Sequence, residues 1–132
     1  MKYGVSEKGY YETKLSPYSP VKYDSSWERE YMALLDFEED GVKKWFKNGS
    51  VPLTGKQSLK IPYEFEGEMH NFIPDFIVIM EDGTRQLREV KAFSKKNGKK
   101  EFADQKAEEK IKEIKKVCAQ KGYVFKLVRK FR

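Results

Sequence analysis

Asn71-Phe-Ile-Pro-Asp-Phe-Ile-Val-Ile-Met-Glu-Asp-Gly-Thr-Arg-Gln-Leu-Arg-Glu-Val-Lys-Ala-Phe93 decides how this chain folds. Phe72 to Met80 is an apolar run of the kind that forms a buried strand. Asp75, directly after Pro74, is out of place in it. A buried carboxylate without partners costs several kcal/mol, so it must be paired, hydrogen-bonded or bound to a metal. A second strand-like segment, Leu87 to Phe93, carries Glu89 and, two residues on, Lys91. Side chains alternate along a strand, so these two share a face.

The turn between the segments decides whether Asp75 joins them. A two-residue loop at Asp82-Gly83 sets Asp75 opposite Val90 and separates the acids. A three-residue loop, Glu81-Asp82-Gly83, with glycine in the left-handed position, pairs Met80 with Thr84 and sets Asp75 opposite Glu89. The second register is the expectation, because it gathers the charged groups at one spot.

Pro74-Asp75, a hairpin, then Glu89-Val90-Lys91 resembles the PD-(D/E)XK signature of restriction-type nucleases. Upstream, Tyr23-Asp-Ser-Ser-Trp-Glu-Arg-Glu-Tyr31 is similar to the Tyr-x-Ser-x-x-Glu segment that precedes the Pro-Asp strand in three groups of that superfamily. These are TnsA-like transposon-end nucleases, type III restriction nuclease domains and phage head-completion nucleases. The resemblance runs from Tyr23 to Val128. It implies an α/β, restriction-endonuclease-like core: a central mixed β-sheet flanked by helices in the order αβββαβ. The implied organisation is an N-terminal arm, residues 1–22, and a single nuclease domain, residues 23–132.

Composition agrees with a polyanionic partner. The chain has 132 residues, a net charge of +6 and 36% charged residues, and its pI is about 9.2. Such a balance favours nucleic acid, although many lysine-rich small proteins bind none. No stretch is long and apolar enough to span a membrane. With no apolar signal region after Met1, and with Cys118 as the single cysteine, the expected location is a reducing cytoplasm, that of the host if the chain is viral.

The remaining segments frame the site. Tyr3, Tyr10, Tyr11 and Tyr18 lie among lysines in an arm that Pro17 and Pro20 keep from being helical. Ser25 and Glu28 have capping-box spacing at the start of a helix whose buried stripe includes Trp27, Tyr31, Leu34 and Leu35. Glu28 is therefore either a capping residue or a site acid; the resemblance favours the site. Val42 to Lys47 and Leu59 to Phe65 read as strands, with Glu66-Gly67-Glu68 turning into the central strand. Ala103, Ala107, Ile111, Ile114 and Cys118 form the apolar stripe of a long helix, which places Cys118 in the core. That helix leads to a last strand, Tyr123 to Val128, and the path suggests a parallel pairing. His70 lies outside the matched motif.

The expected chemistry is phosphodiester hydrolysis. Clustered carboxylates without histidine or cysteine partners suit Mg²⁺ or Mn²⁺. The expected ligands are Asp75, Glu89, the main-chain carbonyl of Val90 and Glu28, with Lys91 orienting water or stabilising charge. A buried Asp-Glu-Lys ion-pair network is the structural alternative. Lys95, Lys96, Lys99, Lys100 and Lys106 are candidate DNA contacts. The resulting expectation is an Mg-dependent DNA endonuclease, the catalytic core of a larger phage or mobile-element machine, with a protein partner or a homodimer supplying specificity. The alternatives are a dimeric Holliday-junction or branched-DNA resolvase, and a non-catalytic DNA-binding protein of the same fold.

Overall fold

The computed structural model describes residues 8–49, 59–90 and 105–129. Its elements follow in the order β1 (Gly9–Tyr11), β2 (Val21–Tyr23), α1 (Ser26–Phe37), β3 (Val42–Lys47), β4 (Ile61–Phe65), β5 (Glu68–Phe72), β6 (Phe76–Met80), β7 (Arg85–Val90), α2 (Gln105–Gln120) and β8 (Val124–Val128). The main sheet has the order β3-β6-β7-β8. β6 pairs antiparallel with both β3 and β7, whereas β7 and β8 are parallel. This mixed sheet with two helices is the restriction-endonuclease-like arrangement that the sequence implies.

Two apolar clusters account for the layers. Tyr31, Met32 and Leu35 of α1 pack with Trp45, Phe76, Val78 and Val90 on one face of the sheet. Ile114 and Cys118 of α2 pack with Leu87 and Phe125 on the other, together with Ile61, Tyr63, Phe65 and Phe72. Burying a large apolar side chain contributes about 1.5–3 kcal/mol, so the alternation of Phe76, Ile77 and Val78 fixes which face β6 turns to α1. Burial also pushes the Cys118 thiol up, which keeps it an inert core residue.

The helix ends follow local rules. Ser25 caps α1 by accepting from the Glu28 amide at 3.4 Å. At the end of α2, Gly122 takes φ +88° and the Tyr123 amide reaches the Cys118 carbonyl at 2.9 Å. The left-handed residue closes the last turn and launches β8.

Two expectations about strands need correction. Phe72 to Met80 is not one strand. Phe72 ends β5, which pairs with β4 in a separate two-stranded hairpin, and β6 starts only at Phe76. Pro74 has no amide to donate, so neither ladder continues through it. Consequently Glu66-Gly67 joins β4 to β5 rather than leading into the central sheet. The last residues of the second site strand, from Lys91, and the first turn expected for α2 lie outside the described residues.

Residues 8–22 are tied to the domain. β1 pairs with β2, and the buried Asp36 of α1 receives four hydrogen bonds. They come from the Tyr11 hydroxyl at 2.9 Å, the Lys14 and Leu15 amides at 2.9 and 2.8 Å, and Trp45 Nε1 at 2.8 Å. A buried carboxylate so surrounded is stabilised by hydrogen bonds rather than by a cation.

Candidate active site

The loop between β6 and β7 is the three-residue one. Met80 donates to the Thr84 carbonyl at 2.9 Å, and Gly83 donates to the Met80 carbonyl at 2.9 Å. Gly83 has φ +93°, which a side chain would strain. The ladder runs from Ile79 opposite Arg85 to Phe76 opposite Arg88. This is the expected register, and the regular pairing ends one residue short of Asp75 and Glu89.

Asp75 sits where this ladder stops. Its amide donates to the Arg88 carbonyl at 2.9 Å, and its Oδ2 accepts from the Val90 amide at 2.8 Å. In the regular ladder the Val90 amide would meet the Pro74 carbonyl. That carbonyl instead accepts from Asn48 Nδ2 at 2.9 Å. The Asp75 carboxylate thus replaces a main-chain acceptor between the two strands.

Asn48 holds this arrangement from the other side. Besides Pro74, its Nδ2 donates to the Leu59 carbonyl at 3.1 Å, its Oδ1 accepts from the Leu59 amide at 2.9 Å, and its own amide donates to the Asp75 carbonyl at 3.0 Å. Every polar group of the side chain is used, so the backbone on both sides of Asp75 has little freedom.

Glu28 enters from α1. Its Oε1 accepts from the Asp24 amide at 2.7 Å and from Lys47 Nζ at 2.9 Å. The expected capping box is therefore displaced by one residue, since the return bond goes to Asp24 and not to Ser25. Glu28, Lys47, Asp24, Lys22, Asn48 and Asp75 line one open cleft of about 490 Å³. Lys47 was not among the expected site residues. Its signal was alternation: Trp45 is fully buried on the α1 face, and Lys47, two residues on, must share that face.

Glu89 is on the other flank. Alternation along β7 sets it with Leu87, and across the parallel pair it faces Leu127, on the side that α2 covers. Arg88 and Val90 face α1 instead. The structure therefore places Glu28 and Asp75 in one cleft, whereas Glu89, on the strand next to Asp75, lies toward the α2 side and does not line it. Among the described residues, no three histidine, cysteine, aspartate or glutamate side chains converge closely enough to hold an ion. Glu28, Asp75 and Glu89 thus do not form one such group among the described residues.

Arg88, between Leu87 and Glu89, is fully buried. It forms a two-pronged ion pair with Glu39 at 2.7 Å for each nitrogen and donates to the Tyr31 hydroxyl at 3.0 Å and to Gln86 Oε1 at 2.8 Å. These hydrogen bonds hold the Glu39 carboxyl below its ordinary range. Burial pushes the Tyr31 hydroxyl up. The network fastens β7 to α1 directly beneath the site.

The other candidates are dispersed. Lys106 pairs with Glu66 of the β4–β5 turn at 3.6 Å, with both side chains exposed, and it does not line the cleft. His70 stacks on Tyr63 at 5.5 Å in the β4–β5 hairpin. Lys91, Lys95, Lys96, Lys99 and Lys100 lie outside the described residues. No helix among the described residues is long and apolar enough to cross a membrane.

The donors fit a hard cation. Asp75 and Glu89 are carboxylates next to the two ends of one ladder, and the soft or borderline donors, Cys118 and His70, lie elsewhere, in the core and stacked on Tyr63. Mg²⁺ is commonly held by one or two carboxylates, with water and substrate phosphate completing its shell, so a pair suffices.

Neither a curated protein nor a solved structure matches the chain. The model of the TnsA-like endonuclease N-terminal region matches residues 48–130, well over half of the chain. The matched span holds Asn48, Asp75, Glu89 and Lys91, while Glu28 lies upstream of it. With the fold, the hairpin register and this match in agreement, the chain belongs to the TnsA-like endonuclease family.

Proposed function

We propose that the chain is a metal-dependent DNA endonuclease that hydrolyses phosphodiester bonds at Asp75 and Glu89. The observation that supports this reading is the three-residue β6–β7 hairpin, whose ladder ends at Phe76 and Arg88, the residues next to Asp75 and Glu89. Asp75, Glu89 and the Val90 carbonyl would hold Mg²⁺ or Mn²⁺. When bound, such an ion lowers the pKa of water and neutralises charge on phosphate oxygens.

The chain's own residues supply positioning. The Val90 amide fixes the Asp75 carboxylate, and Asn48 fixes the backbone that carries it. Arg88 ties β7, the strand that carries Glu89, to Tyr31 of α1 and to Glu39 just after it. Holding reacting groups in a fixed geometry removes part of the entropic barrier. Lys91, two residues after Glu89 in the sequence, is assigned to the attacking water or to the developing charge. Glu28 adds a carboxylate on the other flank of Asp75, within the cleft.

The net charge of +6 favours DNA, and the TnsA-like match favours work within a larger mobile-element machine, with a protein partner or a second copy supplying specificity. The test is cleavage of supercoiled plasmid, single-stranded DNA and a four-way junction with Mg²⁺, Mn²⁺ or EDTA, beside Lys91→Ala. Metal-dependent cutting that disappears in the variant supports the reading. A preference for the junction would favour the resolvase alternative, and binding without cutting would favour a non-catalytic protein of this fold.

A further inference from the structure

Lys47, the last residue of β3, turns its ammonium into the cleft against three oxygens. These are Glu28 Oε1 at 2.9 Å, the Lys22 carbonyl at 3.0 Å and Asp24 Oδ2 at 3.9 Å. Its ladder partner is Phe76, so it stands one residue from Asp75 across the strands. The side chains of Lys47 and Glu28 are only 12% and 16% exposed. An ion pair on the open surface contributes little, but desolvated charges interact strongly. Removing two charges from water is also costly, and an apolar pair could fill the same space at no loss of stability. A purely structural role therefore explains Lys47 poorly.

The surroundings suggest what the ammonium is for. The cleft is open, is lined by both Lys22 and Asp75, and is large enough for a phosphodiester group. Lysine carries three donors on a flexible stem and can change one anionic partner while keeping another.

We propose that Lys47 is a phosphate-contacting residue of this cleft, which Glu28 holds until nucleic acid arrives. The proposal rests on the nuclease reading above. The incoming phosphodiester competes with Glu28 for the ammonium, while Lys47 keeps the Lys22 carbonyl. Glu28 then retains only the Asp24 amide on Oε1 and is released toward Asp75. No proton or covalent bond changes hands in this exchange.

The test is binding of a short fluorescent duplex to the full chain in EDTA, measured across a salt series, so that cleavage plays no part. Lys47→Met is expected to bind about tenfold more weakly at moderate salt, with the log–log salt slope reduced by about one. Lys47→Arg is expected to keep the wild-type slope. Glu28→Gln, which weakens the tether and leaves the lysine intact, is expected to bind more tightly than wild type. It decides the matter alone should Lys47→Met fail to fold. Unchanged affinity and slope in a folded Lys47→Met, or unchanged or weaker binding by Glu28→Gln, would overturn the proposal while leaving the nuclease reading in place. A wild-type chain that binds no duplex would overturn both.

Discussion

The Val90 amide donates to Asp75 Oδ2 at 2.8 Å, so the candidate site acid is also the group that ends the β6–β7 ladder. One residue carries a structural bond and a proposed chemical role. Substitutions can separate the two. Repulsion among acids would favour removing Asp75, but the lost bond opposes this. Asp75→Ala leaves the amide of a buried residue unpaired and is expected to cost about 1–3 kcal/mol. Asp75→Asn retains an acceptor and is expected to stay near wild-type stability. Urea denaturation of the two variants checks the difference.

Asn48 uses its whole side chain on Leu59 and Pro74. Asn48→Ala is expected to lose about 2–3 kcal/mol. It should also lower kcat more than it weakens DNA binding, because it loosens the backbone of Asp75 without removing a charge. Parallel melting and cleavage measurements test this.

Arg88 and Glu39 make stability depend on pH. The folded glutamate has a depressed pKa, chiefly through its hydrogen bonds to Arg88. Its stabilisation is therefore present above the unfolded value, near 4.5, and is lost as pH falls through the lower folded value. A thermal-melting series downward from neutral pH should show Tm falling in that acid range. The fall should be shallower in Glu39→Gln. Arg88→Met, which strands a partly buried carboxylate, is expected to cost about 3–5 kcal/mol.

Asp36 ties residues 11–15 to α1 and Trp45. Asp36→Ala leaves four donors without their acceptor and is expected to cost about 3 kcal/mol or more. The released segment should be cut first in limited proteolysis, at sites between Tyr10 and Tyr23. Wild-type resistance there would contradict the anchoring role.

The sequence made parts of this legible and concealed others for a physical reason. Periodicity located both helices, and Asp82-Gly83 marked the hairpin, because these are short-range properties, whereas the choice of the three-residue loop rested on the grouping of the charges. Pro74 was visible too, yet the apolar run around it read as continuous; which ladder each half joins depends on β3 and β4. Nothing near Arg88 in the sequence marks its role. Its partners Glu39 and Tyr31 are 49 and 57 residues away in the chain, and only folding reveals that Glu39 neutralises it and Tyr31 accepts from it. Lys47 was hidden likewise, since its partner Glu28 lies 19 residues upstream on a helix. The three acids were expected together because strand alternation specifies a face, but only the helix position shows which face receives Glu28.

The most direct test of the central claim is cleavage of supercoiled plasmid by wild type and Asp75→Asn, each with Mg²⁺ and with EDTA, beside their melting curves. Wild type should cut only with the metal, and Asp75→Asn should melt like wild type and leave the plasmid intact. A folded Asp75→Asn that cuts at the wild-type rate would contradict the assignment of Asp75 to the chemistry.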